Sequence, residues 1–117
     1  MGQLRVEKVQ ELIKQELSQI IMQELKDPRI GFVTVTQVAI TGDLQTATVF
    51  VSLLGSESDK QQSWEGLNAA HGFMRAEIGK RIRLRLTPEL ILKIDNSLEY
   101  SEHINKLLAE IAETKEK

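Results

Sequence analysis

Between Arg75 and Arg85 the sequence reads RAEIGKRIRLR, five cations against one anion, on a chain whose formal net charge is −2. An arginine guanidinium is a planar fork of donors that matches phosphate oxygens. A local cluster of this kind attracts a polyanion even when the total charge is negative. The chemistry on offer is therefore phosphate recognition. If Ile82–Leu86 is extended, Ile82, Leu84 and Leu86 point one way and Arg83 and Arg85 the other, with Arg81 joining the arginines at the same period. Arg75 and Lys80 lie on the helix-like stretch just before. The other reading is a solvated face with surface ion pairs to Glu77 and Glu89, although these acids are too few to neutralise the run.

Other chemistry has little to work with. His71 and His103 are the two histidines and there is no cysteine, so disulfides and thiolate metal sites are excluded and no metal spacing is recognisable. No glycine-rich phosphate loop or nucleophile elbow is present. No cofactor and no metal are expected, and a small enzyme would have to work through Asp43 or Glu77. His71 reads as a partly buried or capping side chain. Phe32, Phe50, Trp64, Phe73 and Tyr100 are scattered, so no strand carries a platform for stacking bases, and the basic run should favour phosphates and shape over base sequence. Trp64 reads as a core anchor.

The elements that must hold these residues follow from hydrophobic spacing. Val6, Val9, Leu12, Ile13, Leu17, Ile20, Ile21 and Leu25 form one apolar stripe, which predicts an amphipathic helix over residues 4–26. Pro28 ends it, because the residue before a proline is pushed out of the helical region. FVTVTQVAI (32–40) and QTATVFVSLL (45–54) are rich in β-branched residues and flank Thr41-Gly42-Asp43-Leu44, which predicts a hairpin. In the second strand Ala47, Val49, Val51 and Leu53 share one face. Ser58 is the expected N-cap of a helix running to about Ala70. ELILKID (89–95) reads as a third strand, and Asn96 or Ser97 can cap a last helix with the stripe Tyr100, Ile104, Leu107, Leu108 and Ile111. The tail, about 112–117, should fray.

Gly72 interrupts the helical pattern, at a cost of about 1 kcal/mol relative to alanine. Two readings stand: close packing across the small surface of Ala69, Ala70, Gly72 and Ala76, or a kink that exposes backbone amides where the next helix begins. Three strands cannot cover their own apolar face, so helices must pack on it. The whole chain, 1–117, fits one α+β domain, with an antiparallel hairpin and a long helical crossover that permits a parallel third strand. The N-terminus is no signal peptide and no run approaches the roughly 20 apolar residues of a membrane span, which fits a cytoplasmic protein. Residues 95–117 carry six acids and three bases, so the acidic excess lies partly there. An adaptor that uses the long first helix or the open hairpin edge is a second class of function.

Three segments taken together resemble the ribosome-binding factor A family: KDPRIGFVTVTQVAITGDLQTATVFVSLLG (26–55), AAHGFMRAEIGKRIRLRLTPEL (69–90), and the helix before them. The resemblance covers nearly the whole chain and weakens after about Ser97. It implies a type II KH-like fold of order helix-strand-strand-helix-kinked helix-strand plus a C-terminal helix. The usual GXXG loop is replaced by an interrupted helix junction, here Ala70-His71-Gly72. It further implies a non-enzymatic bacterial assembly factor that binds the small (30S) ribosomal subunit and its 16S rRNA. Such a factor assists late maturation and 5′-end processing of that rRNA, supports growth in the cold and is released by a GTPase. On this reading the RNA contacts are Lys26, Arg29, Arg75, Lys80, Arg81, Arg83 and Arg85, and the protein is a monomer.

Overall fold

The computed structural model describes residues 2–95, with side chains from Arg5 onward. The expected C-terminal helix, His103 and the 112–117 tail lie outside these residues. The first helix, α1, spans Gly2–Gln19 and passes into a π-helical turn, Ile20–Glu24, closed by the Leu25 N–H donating to the Ile20 carbonyl (3.1 Å). Val9, Ile13, Leu17, Ile20 and Ile21 of the expected stripe are buried, while Leu12 faces solvent. The wider turn accounts for two consecutive isoleucines both facing inward, since five residues there close one turn instead of about four. The helix thus ends as a π turn before the residues 25–26 that the apolar stripe had included.

Strand β1 (Val33–Ile40) pairs antiparallel with β2 (Thr46–Leu53), and β2 pairs in parallel with β3 (Glu89–Ile94), giving the sheet order β1-β2-β3. In β2 the predicted face is the buried one: Ala47, Val49, Val51 and Leu53 are all in the core. In β1 the alternation changes phase. Val35 pairs with Val51 but Gln37 pairs with Phe50, leaving Thr36 as a bulge. One inserted residue shifts every later side chain to the opposite face. Gln37 is thereby turned outward and Val38 and Ile40 inward, so the bulge keeps the apolar residues of both halves on the core side. The Thr36 hydroxyl donates to Asp95 Oδ2 (2.6 Å), tying the bulge to the end of β3.

In the hairpin turn Asp43 Oδ1 accepts from the Thr41 hydroxyl (2.6 Å) and the Gln45 N–H (3.1 Å), an Asx-type closure. These bonds hold its carboxyl below the usual carboxylate range, the Thr41 hydroxyl contributing most. The left-handed residue of the turn is Leu44 (φ 62°), not the glycine that marks the turn in the sequence.

Helix α2 (Glu57–Ala69) begins at Ser56, not at Ser58. Ser56 Oγ accepts from the Asp59 N–H (3.1 Å) and Asp59 Oδ2 accepts from the Ser56 N–H (3.2 Å). The two bonds form a reciprocal capping box, closed by Asp59 three residues after the serine. Helix α3 (His71–Arg81) follows after a break at Ala70 (φ −90°, ψ 4°), where Gly72 lies in the first turn of the new helix. Leu67, Met74 and Ile78 join the α1 stripe and the sheet in one core, against which Trp64 packs half-buried. Among the described residues, no helix is long and apolar enough to cross a membrane.

The cap assignment has a direct test. Ser56→Ala should lower stability by about 1 kcal/mol, read from the urea midpoint, while Ser58→Ala should change it by no more than a few tenths.

Candidate nucleic-acid interface

The basic residues singled out in the sequence separate into three environments. Arg81 is the least available. Its guanidinium meets Glu16 Oε2 (3.1 Å), Glu24 Oε1 and Glu77 Oε2 (3.8 Å), and its side chain keeps only 23% of its exposure. Glu16 first, and then Glu24, raise the Arg81 guanidinium from its ordinary value, against a smaller opposing effect of burial. Arg81 therefore does not join Arg83 and Arg85. It lies on α3, pointing back at α1 and the π turn, and cross-links three elements. Lys80 beside it is 75% exposed, with Glu77 at 3.9 Å.

Arg75 positions its neighbours. Its Nε donates to the Pro88 carbonyl (3.1 Å) and its Nη2 to the Thr87 carbonyl (3.0 Å), so one fork grips the end of the loop linking α3 to β3. The same loop is pressed against α3 at Gly79, where an added Cβ would lie 2.7 Å from Thr87 Oγ1. Arg83 and Arg85 project from this pinned loop, both exposed and, among the described residues, without a carboxylate partner. The loop is not the extended ribbon that its alternation suggests. Ile82 ends α3 by donating to the Ile78 carbonyl and is buried, Leu84 is half-buried, and Leu86 is 67% exposed.

The second group sits on the segment between the π turn and β1. Arg29 chelates Asp27 through Nε (3.1 Å to each oxygen) and Nη2 (2.7 Å). That grip lowers the Asp27 carboxyl from its usual range and raises Arg29. The segment is docked on α2 by two small residues. Ser63, the single buried polar residue in the described core, accepts from the Gly31 N–H (3.0 Å). Gly66 leaves room for Ile30, whose Cγ1 would stand 2.6 Å from a Cβ there. Lys26, Pro28 and Arg29 then border a surface groove of about 640 Å³ with Ala69, Ala70 and the exposed ring of Phe73. The helix junction and the Lys26–Arg29 segment, far apart in sequence, are thus brought together.

At that junction His71 Nε2 donates to the Leu90 carbonyl (2.5 Å), fixing the start of α3 to β3. The half-buried structural reading of His71 matches its place. Of the two readings of Gly72, close packing finds no support among the described residues, where a Cβ there would meet nothing within 4 Å. The glycines that do permit close approach, Gly66 and Gly79, carried no periodic signal, because what they accommodate lies elsewhere in the chain. Among the described residues no three histidine or acidic side chains converge as metal ligands. Asp43 is engaged in its turn and Glu77 in ion pairs with Lys80 and Arg81.

The model of the ribosome-binding factor A family matches residues 5–108 of the chain. A ribosome-binding factor A from Natranaerobius thermophilus is 51% identical over 111 residues, 95% of this chain and 85% of its own length. Among solved structures, the crystal structure of ribosome-binding factor A from Thermus thermophilus superposes with a TM-score of 0.66 at 25% identity, covering 76% of this chain and 94% of that one. A Thermotoga maritima protein solved by NMR gives 0.66 at 35% identity, with 76% and 85% covered. A homology model of the Thermus thermophilus factor, fitted into a cryo-electron-microscopy map of its complex with the 30S subunit, gives 0.62 at 26% identity, with 74% and 91% covered.

The contrast between the glycines and between the arginines can be measured by urea unfolding. Gly66→Ala should cost about 1–3 kcal/mol through displacement of Ile30, whereas Gly72→Ala should be neutral or stabilise by up to about 1 kcal/mol. Arg81→Ala should lower the unfolding midpoint by stranding three carboxylates, while Arg83→Ala should leave it where it is.

Proposed function

The chain belongs to the ribosome-binding factor A family, and on that premise we propose that it is a non-catalytic assembly factor of the small ribosomal subunit that docks on folded 16S rRNA. The observation that carries this reading is the exposed pair Arg83 and Arg85 on a loop that Arg75 and Gly79 hold against α3. Cations fixed in place give up little side-chain freedom when they meet phosphates. Lys26 and Arg29, with the exposed Lys80, supply further contacts. Arg75 and Arg81 act by positioning, the first on the loop and the second on the packing of α1 against α3. The Ala70-His71-Gly72 junction contributes to the same surface in this reading, supported by Ala70 lining the groove with Lys26 and Arg29.

The mechanism needs binding energy alone: the protein holds one rRNA arrangement by binding it better than its competitors. Support of late maturation and 5′-end processing, a larger need for the factor in the cold, and release by a GTPase are parts of the same proposal, as are a monomeric state and a cytoplasmic location. The adaptor reading is weakened at the sheet edge. β1 is an edge strand, but its Thr36 bulge interrupts the row of free backbone groups that an added strand would need.

Binding to purified small subunits over a salt series tests the reading. Each phosphate contact on a duplex contributes about −0.9 to the log–log slope. The double variants Arg83→Ala/Arg85→Ala and Lys26→Ala/Arg29→Ala should each flatten the slope by up to about two, with unfolding midpoints near wild type. Wild-type affinity and slope in both variants would rule out these residues as the docking surface.

A further inference from the structure

Arg85 shares a depression with a residue from the other end of the sequence. Arg5 of α1, Leu44 and Gln45 of the hairpin turn, and Leu84, Arg85 and Leu86 of the pinned loop border one concavity of about 450 Å³, with Asp43 on its rim. That volume falls within the usual range of small-ligand sites, roughly 300–1,000 Å³. Its chemistry is divided. Two guanidiniums and one carboxylate border it, and that carboxylate already accepts from the Thr41 hydroxyl and the Gln45 N–H. The rest is apolar, and Leu86 is exposed although the core has room for neighbouring Leu84.

The rims are stiff. Leu44 is held in the left-handed region with its N–H donating to the Thr41 carbonyl (2.8 Å). Next to Leu86, the Thr87 and Pro88 carbonyls are gripped by Arg75. A pair of arginines beside a small apolar shelf matches one kind of ligand unit, an anionic phosphodiester followed by a sugar whose carbon face packs on aliphatic side chains.

We propose that this depression seats one nucleotide of the rRNA backbone, with Arg5 and Arg85 on its phosphate and Leu44 and Leu86 against its ribose. The inference rests on the rRNA-docking reading above and adds to it a residue, Arg5, that lies some 80 positions from the basic run. It also makes the depression a second contact, separate from the groove beside Phe73.

The test uses the full chain and purified small subunits. Arg5→Ala should lower affinity about eightfold near 0.1 M salt, with a slope flatter by about 0.9 and convergence on wild type toward 1 M salt. Arg5→Lys should retain most of the slope. Leu86→Ser should weaken binding with the slope unchanged, the signature of an apolar contact. Urea midpoints near wild type confirm that each variant is folded. If wild-type protein binds and Arg5→Ala keeps both affinity and slope, the depression is not a phosphate site and the docking reading stands without it. If Leu86→Ser binds like wild type, the ribose contact is wrong. If wild-type protein fails to bind small subunits, the docking reading falls and takes this inference with it.

Discussion

A three-stranded sheet with one face of packed aliphatic side chains must be roofed, and where the roof lies decides everything else in this molecule. Ala47, Val49, Val51 and Leu53 of β2 are sealed beneath α1, α2 and α3. Burying each such aliphatic side chain contributes roughly 1.5–3 kcal/mol, so the arrangement of helices is set by burial long before charge has a say. Because β3 joins β2 in parallel, the chain must cross the whole sheet between them. It does so through α2 and α3 and returns by a short loop to the start of β3. That loop carries Arg83 and Arg85, so the position of the available cations follows from the connectivity of the sheet.

Charge alone does not identify which cations are available. Arg81, Arg83 and Arg85 are evenly spaced and chemically identical, yet their surroundings differ. Helix α3 continues through Arg81 and turns it toward Glu16, Glu24 and Glu77, whereas the two residues beyond the helix end face water. The two exposed cationic segments are held in a similar way, each by a glycine that lets a side chain from the segment sit against a helix: Ile30 at Gly66 and Thr87 at Gly79. Both segments are loops by dihedral angle but have little of the freedom that word suggests.

Much of this was legible before any coordinates. Strict alternation marks β2, apolar spacing marks α1 and α3, and the joined segments KDPRIG, TGDL and AAHGFMR carry the family resemblance. What escaped was whatever depends on contacts between distant residues. The Thr36 bulge shows in sequence only as a change of phase between VTVT and QVAI. The expected cap at Ser58 gave way to Ser56, whose hydroxyl and backbone N–H are both engaged by Asp59. Gly72 attracted notice because it interrupts a pattern, while Gly66 and Gly79 matter for what presses against them. In the same way Arg81 looked like part of a ribbon because its partners Glu16 and Glu24 lie far back in α1 and the π turn.

The parallel pairing of β3 also orders events while the chain is being made. The β1–β2 hairpin needs only its own residues and can close early. β3 must find β2 across both intervening helices, and such non-local closure comes late. The Arg83–Arg85 loop ends at Pro88, immediately before that strand; its carbonyl anchors to Arg75 lie within α3 and the loop, whereas the His71–Leu90 tie exists only once the strand has emerged and docked. A nascent chain halted short of β3 therefore lacks the tie that fixes the start of α3 to the sheet.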